Sequence, residues 1–194
     1  MPHGILLFPS LISRISKECG VEQFIQLSAL AIDESKDTKY SKSKIEGEIN
    51  IKKNFPNATI LRPSLVFSSD DNSSTQFLTL LNRLPFFPLF GNPNFMPIYV
   101  ADLTRIIYEV IIKKINSTTI ECIGPEKISF KEILQRLLKL MDKKRFLIPL
   151  PLSLSKIIAK TFQLMPRPML TEDQLKLLSY DNVASGRYKT NFDV

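Results

Sequence analysis

The chain has 194 residues, of which 44% are hydrophobic and 23% are charged, a composition typical of an ordinary globular protein. Lys and Arg total 26 against 19 Asp and Glu, which gives a formal net charge of +7. Because the lysines are spread over predicted helices, we expect no nucleic-acid partner. Two distant cysteines, Cys19 and Cys122, and the single histidine His3 argue against a zinc site and a disulfide framework, so no metal is predicted.

Membrane insertion and secretion are not indicated by the sequence. No apolar run reaches the roughly 18 residues that a transmembrane helix needs. Residues 1–8 are too short, and lack the charge, for a secretory signal. We therefore expect a cytoplasmic protein with reduced thiols, either in solution or peripheral to a membrane.

Helices and strands alternate in the first third of the chain. A helix is predicted at residues 9–19, with Gly20 as its stop, and a strand follows at residues 21–27. A polar loop leads to a second helix at residues 40–54 and then to a strand at residues 58–67. Strands separated by a full helix indicate crossover connections and therefore a parallel sheet.

The rest of the chain is predicted to continue with short strands and amphipathic helices. Capping-box patterns open two helices, at Ser129 and at Thr171. Residues 84–94 are expected to form a connection rich in Pro and Phe, and the final dozen residues a loose tail. Further helices are expected at residues 75–83, 102–113, 129–141 and 152–164, and further strands at residues 96–100, 118–123 and 145–149.

The glycines of the chain are too far apart for a phosphate-binding turn. Doubly wound nucleotide-binding domains begin with a strand, a glycine-rich turn and a helix whose amino end faces the pyrophosphate. Of the six glycines here, no two lie within ten positions of each other, so neither G-x-G-x-x-G nor a P-loop occurs. We expect that the chain begins partway through such a domain.

One constellation of side chains is suited to chemistry. Tyr40 and Lys44 have the Tyr-x-x-x-Lys spacing, which places both on one face of a helix. A Tyr phenol is a poor acid–base group at neutral pH, and a neighbouring ammonium favours its phenolate form. Ser28, at the carboxyl end of the preceding strand, is placed to hold a substrate oxygen beside the phenol. A solvated helix face in a Lys-rich chain explains the same spacing, and the residues alone leave this alternative open.

Several blocks of sequence, in order and spacing over about residues 10–186, resemble the extended or atypical short-chain dehydrogenase/reductase superfamily. Within it they are similar to the branch of respiratory complex I accessory subunits and their bacterial relatives. The blocks are Gln26-Leu27-Ser28-Ala29-Leu30, Tyr40-Ser41-Lys42-Ser43-Lys44 with Glu46-Gly47-Glu48, Phe55-Pro56-Asn57-Ala58-Thr59-Ile60-Leu61-Arg62-Pro63-Ser64, Met96-Pro97-Ile98-Tyr99-Val100-Ala101-Asp102, Phe146-Leu147-Ile148-Pro149-Leu150-Pro151 and Leu170-Thr171-Glu172-Asp173-Gln174.

The resemblance implies a fold and a cofactor. The fold class is α/β, with the carboxyl-terminal part of a Rossmann-like doubly wound parallel sheet at residues 1–70. A smaller α/β region for substrate or interaction, interleaved with the sheet, is expected at residues 71–186, and a tail at residues 187–194. NADP or NAD is implied as the cofactor, although the missing glycine-rich turn predicts weak binding by this chain alone. The residues implied to act on the substrate or to face the nicotinamide and its ribose are Ser28, Tyr40, Lys44, Pro63, Ser64 and Leu65.

Three hypotheses of function follow from the resemblance. In the first, the chain is an NAD(P)-binding protein associated with complex I, peripheral on the cytoplasmic face of the inner membrane, and the nucleotide has a structural role. In the second, it is an active oxidoreductase or epimerase that uses Tyr40 as acid–base, Lys44 as its activator and Ser28 as substrate anchor. In the third, it is a split or shortened product that no longer binds dinucleotide. The expected partners are complex I subunits or a separately encoded amino-terminal half, and the isolated chain is expected to associate through uncovered apolar faces.

Overall fold

The computed structural model describes residues 3–68, 81, 86–151 and 171–194. In this part of the chain, none of the helices is both long enough and apolar enough to span a bilayer. The helices are α1 (His3–Glu18), α2 (Lys39–Asn54), α3 (Val100–Ile112), α4 (Phe130–Leu140) and α5 (Glu172–Leu177). The strands are β1 (Ile25–Leu27), β2 (Thr59–Pro63), β3 (Val66–Phe67), β4 (Phe86–Phe90), β5 (Asn94–Phe95), β6 (Ile98–Tyr99), β7 (Thr119–Cys122), β8 (Ile128–Ser129), β9 (Phe146–Leu150) and β10 (Lys189–Thr190).

A parallel sheet lies at the centre of the described structure. Its strand order is β1-β2-β7-β10, and every neighbouring pair is parallel. Gln26 is in register with Ile60, and Leu61 with Ile120. The α/β class and the parallel sheet that the sequence predicted are therefore confirmed.

Helices cover both faces of this sheet. Successive side chains of β2 point to opposite faces, and because Ile60 and Leu61 are apolar, both faces need cover. Ile60 points to the face that α2 covers, where it packs with Ile51 and Phe55. Leu61 points to the opposite face, where it packs with Leu103 of α3. Full burial of side chains of this size contributes roughly 1.5–3 kcal/mol each, so the two layers hold β2 in place.

The helices predicted to open with capping boxes are confirmed, and α2 has a cap that was not predicted. In α2, the side chain of Thr38 accepts a hydrogen bond from the N–H of Ser41. The capping box of α4 joins Ser129 to Glu132, and that of α5 joins Thr171 to Gln174. The helices predicted at residues 75–83 and 152–164 lie outside the described residues.

The first helix extends further than the sequence indicated. It begins at His3, and Pro9 lies inside it, where its missing N–H removes one intrahelical hydrogen bond. Its end agrees with the prediction, because Gly20 adopts a φ of 74° that favours glycine. The strand that follows is shorter than predicted and begins only at Ile25.

Two predictions on strands are wrong. Residues 58–67 do not form one strand, because the chain leaves the central sheet after Pro63 and Val66 pairs with Ile98 in a separate ladder. Residues 84–94 are not a plain connection, since Phe86–Phe90 forms β4 and pairs with β9. Phe87 and Leu89 alternate into a buried cluster, and Pro88 is tolerated because β4 pairs only with β9 in the described part of the chain.

The expectation of a loose carboxyl-terminal tail is also wrong. β10 adds to the central sheet beside β7, and the side chain of Asn191 accepts a hydrogen bond from the N–H of Ile123 at 2.7 Å. Upstream of β10, Ser185 donates two hydrogen bonds to the buried carboxylate of Glu121, at 2.9 and 2.6 Å. The pair Lys189–Thr190 has no apolar alternation, so the pattern of the sequence contained no signal for this strand. The proposed domain boundaries stay a prediction.

Candidate functional site

The carboxyl ends of β1 and β2 open onto a cleft of about 480 Å³. Ligands of open parallel α/β sheets bind at this edge of the sheet. Ser28 follows β1, and Ser64 and Leu65 follow β2, so the two chain segments meet at the floor of the cleft. The position alone makes this cleft the candidate site.

Ser28 has an unusual environment for a buried hydroxyl group. The residue is only 8% exposed, and its main-chain N–H donates to the carbonyl of Leu61 at 2.7 Å. Its Oγ atom is buried and has no hydrogen-bond partner among the described residues. A buried polar atom without a partner costs about 1–3 kcal/mol, so this atom points to a ligand that supplies the missing bond.

Tyr40 and Lys44 lie together at the start of α2. The Nζ atom of Lys44 is 5.7 Å from the centroid of the Tyr40 ring, which is a cation–π distance. Tyr40 lines the cleft, whereas Lys44 is not among the described residues of its lining. Ser28 and Tyr40 are therefore brought into one cleft, with Lys44 behind the phenol ring.

The protonation state of Tyr40 differs from the expectation. Burial raises the pKa of the Tyr40 phenol above its ordinary value, even though 42% of the residue is exposed. A neighbouring ammonium was expected to favour phenolate, but the shift is in the opposite direction and burial is its cause. At neutral pH the phenol is therefore protonated, and it can donate a hydrogen bond or a proton.

The backbone from Pro63 to Leu65 is fixed by hydrogen bonds from four directions. The Pro63 carbonyl accepts from Leu30 at 2.9 Å, and the N–H of Ser64 donates to Cys122 at 2.9 Å. The Leu65 carbonyl accepts from Ile98 at 2.9 Å, and the Ser64 hydroxyl donates to Asn182 Oδ1 at 2.6 Å. The segment that the resemblance placed against the nicotinamide is thus a rigid floor.

Another part of the cleft wall comes from the carboxyl-terminal part of the chain. Gln174, Leu177 and Leu178 of the α5 region line the cleft, followed by Tyr180 and Asn182. Sequence reasoning assigned no role to these residues. The block that contains Thr171 to Gln174 was recognised as a family match, but nothing in its spacing indicated that it returns to residue 40.

Asp173 joins this wall to α2. Its two carboxylate oxygens accept hydrogen bonds from the main-chain N–H groups of Lys39, at 2.9 Å, and Tyr40, at 3.0 Å. Asp37, in the loop before α2, accepts from Lys176 and from the hydroxyl of Tyr180, at 2.5 and 2.8 Å. The carboxyl-terminal part of the chain therefore forms hydrogen bonds and an ion pair with the residues on both sides of Thr38.

A buried ion cluster lies beneath the cleft. Arg62 donates two hydrogen bonds to Glu48, at 2.9 and 2.7 Å, and one to Asp33 at 2.6 Å. Tyr188 covers the guanidinium with its ring centroid 4.7 Å away. Burial would lower the pKa of Arg62, but the hydrogen bonds and charges of the two carboxylates raise it above its ordinary value. The cluster ties the loop after β1 to α2 and β2.

The described residues fit one part of a dinucleotide better than another. The buried hydroxyl of Ser28 and the phenol of Tyr40, which the resemblance places against the nicotinamide and its ribose, both line the cleft. A glycine-rich turn for the pyrophosphate is not found among the described residues, as the glycine spacing requires. In the same part of the chain, no group of three or more His, Cys, Asp or Glu side chains is placed to hold a metal ion.

The described sheet is parallel and covered on both faces, and a cleft lies at the carboxyl ends of its strands. These features define a Rossmann-like α/β fold. The fold is shared with a dTDP-4-dehydrorhamnose reductase from Clostridium acetobutylicum, at a TM-score of 0.66 and 17% identity over 92% of this chain and 62% of that chain. It is also shared with a UDP-glucuronic acid 4-epimerase from Bacillus cereus, solved with UDP-glucuronic acid and NAD, at a TM-score of 0.61 and 20% identity over 76% of this chain and 54% of that chain.

The sequence is similar to subunits of NADH dehydrogenase. It is 28% identical over 179 residues to NADH dehydrogenase (ubiquinone) 1 alpha subcomplex subunit 9, mitochondrial, of Mus musculus, a match that covers 90% of this chain and 48% of that protein. Identity to the subunit of the same name from Arabidopsis thaliana is 24% over 188 residues, covering 90% and 47%. The chain spans about half the length of the curated relatives it matches. No protein-family model matches the chain. The resemblance read from the sequence blocks is confirmed.

Proposed function

We propose that the chain is an NAD(P)-binding protein of the atypical short-chain dehydrogenase/reductase type, associated with respiratory complex I, in which the nucleotide has a structural role. The nicotinamide and its ribose lie against Ser28, Tyr40 and the backbone of residues 63–65. Lys44 reaches the ribose from behind Tyr40. The protein is peripheral on the cytoplasmic face of the inner membrane.

One observation carries the proposal: the buried, unpartnered Oγ of Ser28 lies in the same cleft as the phenol of Tyr40. Solved proteins of the same fold add support, since the epimerase from Bacillus cereus is described with NAD and a dTDP-4-dehydrorhamnose reductase from Bacillus anthracis with NADP. The association with complex I is supported by the homologous subunits, which belong to that enzyme by name.

The exposed face of α1 supports the proposal that the chain binds another protein. Ser13 is completely buried against α2, and Asn54 donates hydrogen bonds to the carbonyl and hydroxyl of Ser10, at 2.9 and 3.1 Å. The helix thus turns polar residues inward and leaves an apolar stripe outward.

The outward stripe of α1 consists of Phe8 (64% exposed), Leu11 (45%), Ile12 (38%) and Ile15 (44%). A stripe at positions i, i+3, i+4 and i+7 is the kind of face that a globular protein covers. A complex I subunit or a separately encoded amino-terminal half is the proposed cover.

The structural role of the nucleotide is proposed from the resemblance to the complex I subunits. Burial raises the pKa of the Tyr40 phenol, which suits a hydrogen-bond donor to a bound nucleotide and equally a proton donor in catalysis. The alternative is an active oxidoreductase or epimerase that uses Tyr40, Lys44 and Ser28. It is favoured by the meeting of Ser28 and Tyr40 in one cleft.

The test is a titration of NAD and NADP, oxidised and reduced, into the 194-residue chain while its thermal unfolding is followed. Binding raises stability by RT ln(1 + [L]/Kd), which is about 2.7 kcal/mol at a hundredfold excess over Kd. Ser28→Ala is expected to abolish most of this gain, yet to leave the stability of the free chain unchanged or higher by about 1 kcal/mol, because an unpaired polar atom is removed.

Ser13→Ala is the matched control. It removes another buried serine hydroxyl, one that donates to the carbonyl of Ser10 at 2.9 Å far from the cleft. This change is expected to cost about 1 kcal/mol of stability and to leave nucleotide binding unchanged. Absence of any nucleotide-dependent shift would favour the third hypothesis, a product that no longer binds dinucleotide. Where binding occurs, turnover that Tyr40→Phe abolishes would show an enzyme.

A further inference from the structure

We infer that Asp173, in the first turn of α5, is a positioning residue that fixes the amino end of α2, and with it Tyr40. The inference rests on the proposed function in so far as the cleft is the nucleotide site. The contact itself is independent of what the cleft binds.

The first N–H groups of a helix have no partner inside the helix. In α2, Thr38 satisfies the N–H of Ser41, and Asp173 satisfies those of Lys39 and Tyr40 at 2.9 and 3.0 Å. A carboxylate is favoured at this end because the helix dipole is positive there, and hydrogen bonds to a charged acceptor are stronger than neutral ones. Asp173 therefore acts as a second cap that is supplied by a distant part of the chain.

The cap is held in place from its own side. Asp173 lies in the first turn of α5. In the same helix, the ammonium of Lys176 bonds to the carboxylate of Asp37. Tyr180, just after α5, bonds to the same carboxylate. These bonds, and not burial, lower the pKa of Asp37, with Lys176 as the largest cause. Asp37 and Tyr40 are three positions apart, so the α5 region holds the turn into α2 at both ends.

The same region forms part of the ligand's surroundings. Gln174, next to Asp173 in the chain, lines the cleft together with Leu177 and Leu178. Tyr40 also lines the cleft, and its main-chain N–H donates to Asp173. A ligand that contacts the α5 residues of the cleft is therefore connected to Tyr40 through the carboxylate of Asp173. Loss of that carboxylate leaves the start of α2 free to fray, which displaces the phenol.

The experiment compares Asp173→Asn with Glu172→Gln. Both changes remove one negative charge from the first turn of α5, but the side chain of Glu172 makes no hydrogen bond or ion pair within the described part of the chain. Amide hydrogen exchange is measured by NMR on the 194-residue chain, and affinity for NAD and NADP is measured in parallel. Asp173→Asn is expected to speed the exchange of the Lys39 and Tyr40 amides by about tenfold, and to weaken nucleotide binding by about fivefold. Glu172→Gln is expected to change neither.

Each outcome decides the inference. Unchanged exchange of the two amides in Asp173→Asn, or an equal change in Glu172→Gln, overturns it. Faster exchange with unaltered nucleotide affinity would show a helix cap that has no influence on the cleft, and also overturns it. Failure of the parent chain to bind nucleotide would refute the proposed function, while the exchange rates would still test the contact. If Asp173→Asn does not fold, Lys176→Gln loosens the same region through Asp37 and is expected to speed the exchange of the same amides to a smaller extent.

Discussion

The guanidinium of Arg62 lies beneath the cleft with the carboxylates of Glu48 and Asp33 bonded to it. Side-chain exposure is 7% for both Arg62 and Glu48, and 14% for Asp33. Breaking a buried ion pair costs far more than breaking an exposed one, because the remaining charge stays buried without a partner. Burial would raise the pKa of Asp33, but the hydrogen bond and charge of Arg62 lower it, so this carboxyl group is charged at neutral pH.

Arg62→Met is therefore expected to lower the free energy of unfolding by about 3–5 kcal/mol, measured by urea denaturation at pH 7. The control is Arg136→Met, which removes an arginine bonded to Glu126 in a pair whose side chains are both 56% exposed. That change is expected to cost no more than about 1 kcal/mol. Equal losses in the two variants would contradict the role of burial.

At the scale of residues, the sequence predicted that Tyr40 and Lys44 share one helix face and that Ser28 follows a strand, and the structure brings Ser28 and Tyr40 into one cleft. The roles of the three residues stay predictions. The partners that fix them were not predictable in the same way. Asp173 is 133 positions from Tyr40, and Arg62 is 29 positions from Asp33. A polar residue in a loop or a helical turn has no periodicity that tells which distant group it will meet.

The orientation of α1 is the feature of interest at the scale of elements. Amphipathic helices normally place their apolar side against the core, whereas α1 packs Ser10 and Ser13 on α2 and leaves its outward stripe uncovered. β1, which follows α1 in the chain, has a neighbour on one side only in the described sheet. Exposed apolar surface and an open strand edge each favour association with another protein.

Leu11→Glu is expected to reduce self-association of the isolated chain, measured by sedimentation velocity over a range of concentrations, because it places a charge in the centre of the stripe. Leu140→Glu makes the same substitution at a leucine that is 84% exposed on another helix. This control is expected to leave association unchanged, and neither variant should alter unfolding by more than about 0.5 kcal/mol. If both variants associate equally, the outward stripe of α1 is not the contact surface.

Elements with local signals were predicted closely, and elements without them were not. Capping residues and breakers gave α2 and α4 to within one or two residues, and a short β-branched run gave β7. The division of residues 58–67 between two ladders depends on where β7 and β6 offer partners, which the segment itself does not encode. The direction of α1 was not predictable either, since periodicity identifies an apolar side but not what covers it.

At the scale of the whole molecule, residues near the carboxyl terminus complete the cleft, the buried ion cluster and the central sheet. Asn182 accepts from Ser64 and donates to the carbonyl of Leu30, and Tyr188 covers Arg62. β10 then joins the central sheet beside β7. The cleft therefore has walls from both ends of the sequence, and it exists only when the carboxyl-terminal part is in place.

Deletion of residues 188–194 is expected to lower the free energy of unfolding by more than about 3 kcal/mol, since it removes β10, the bonds of Asn191 and the packing of Val194. A tail without contacts would change stability by no more than about 0.5 kcal/mol. Phe192→Ala is the control, because this side chain is 63% exposed and its loss should be nearly neutral. Urea denaturation measures both, and an undiminished midpoint for the deletion would contradict the placement of β10.

The contact between Asn182 and Leu30 spans 152 positions of the sequence. On the ribosome, β1, α2, β2 and β7 emerge long before the segment that supplies the partners of Glu121 and Ser64. Each of these buried polar groups therefore stays without its partner until residues 182–185 have been synthesised. Contacts between distant parts of a chain also form slowly, because a large loop must close before they contribute. A nascent chain therefore remains open at the cleft, with buried hydroxyl and carboxylate groups exposed to water, until that segment arrives.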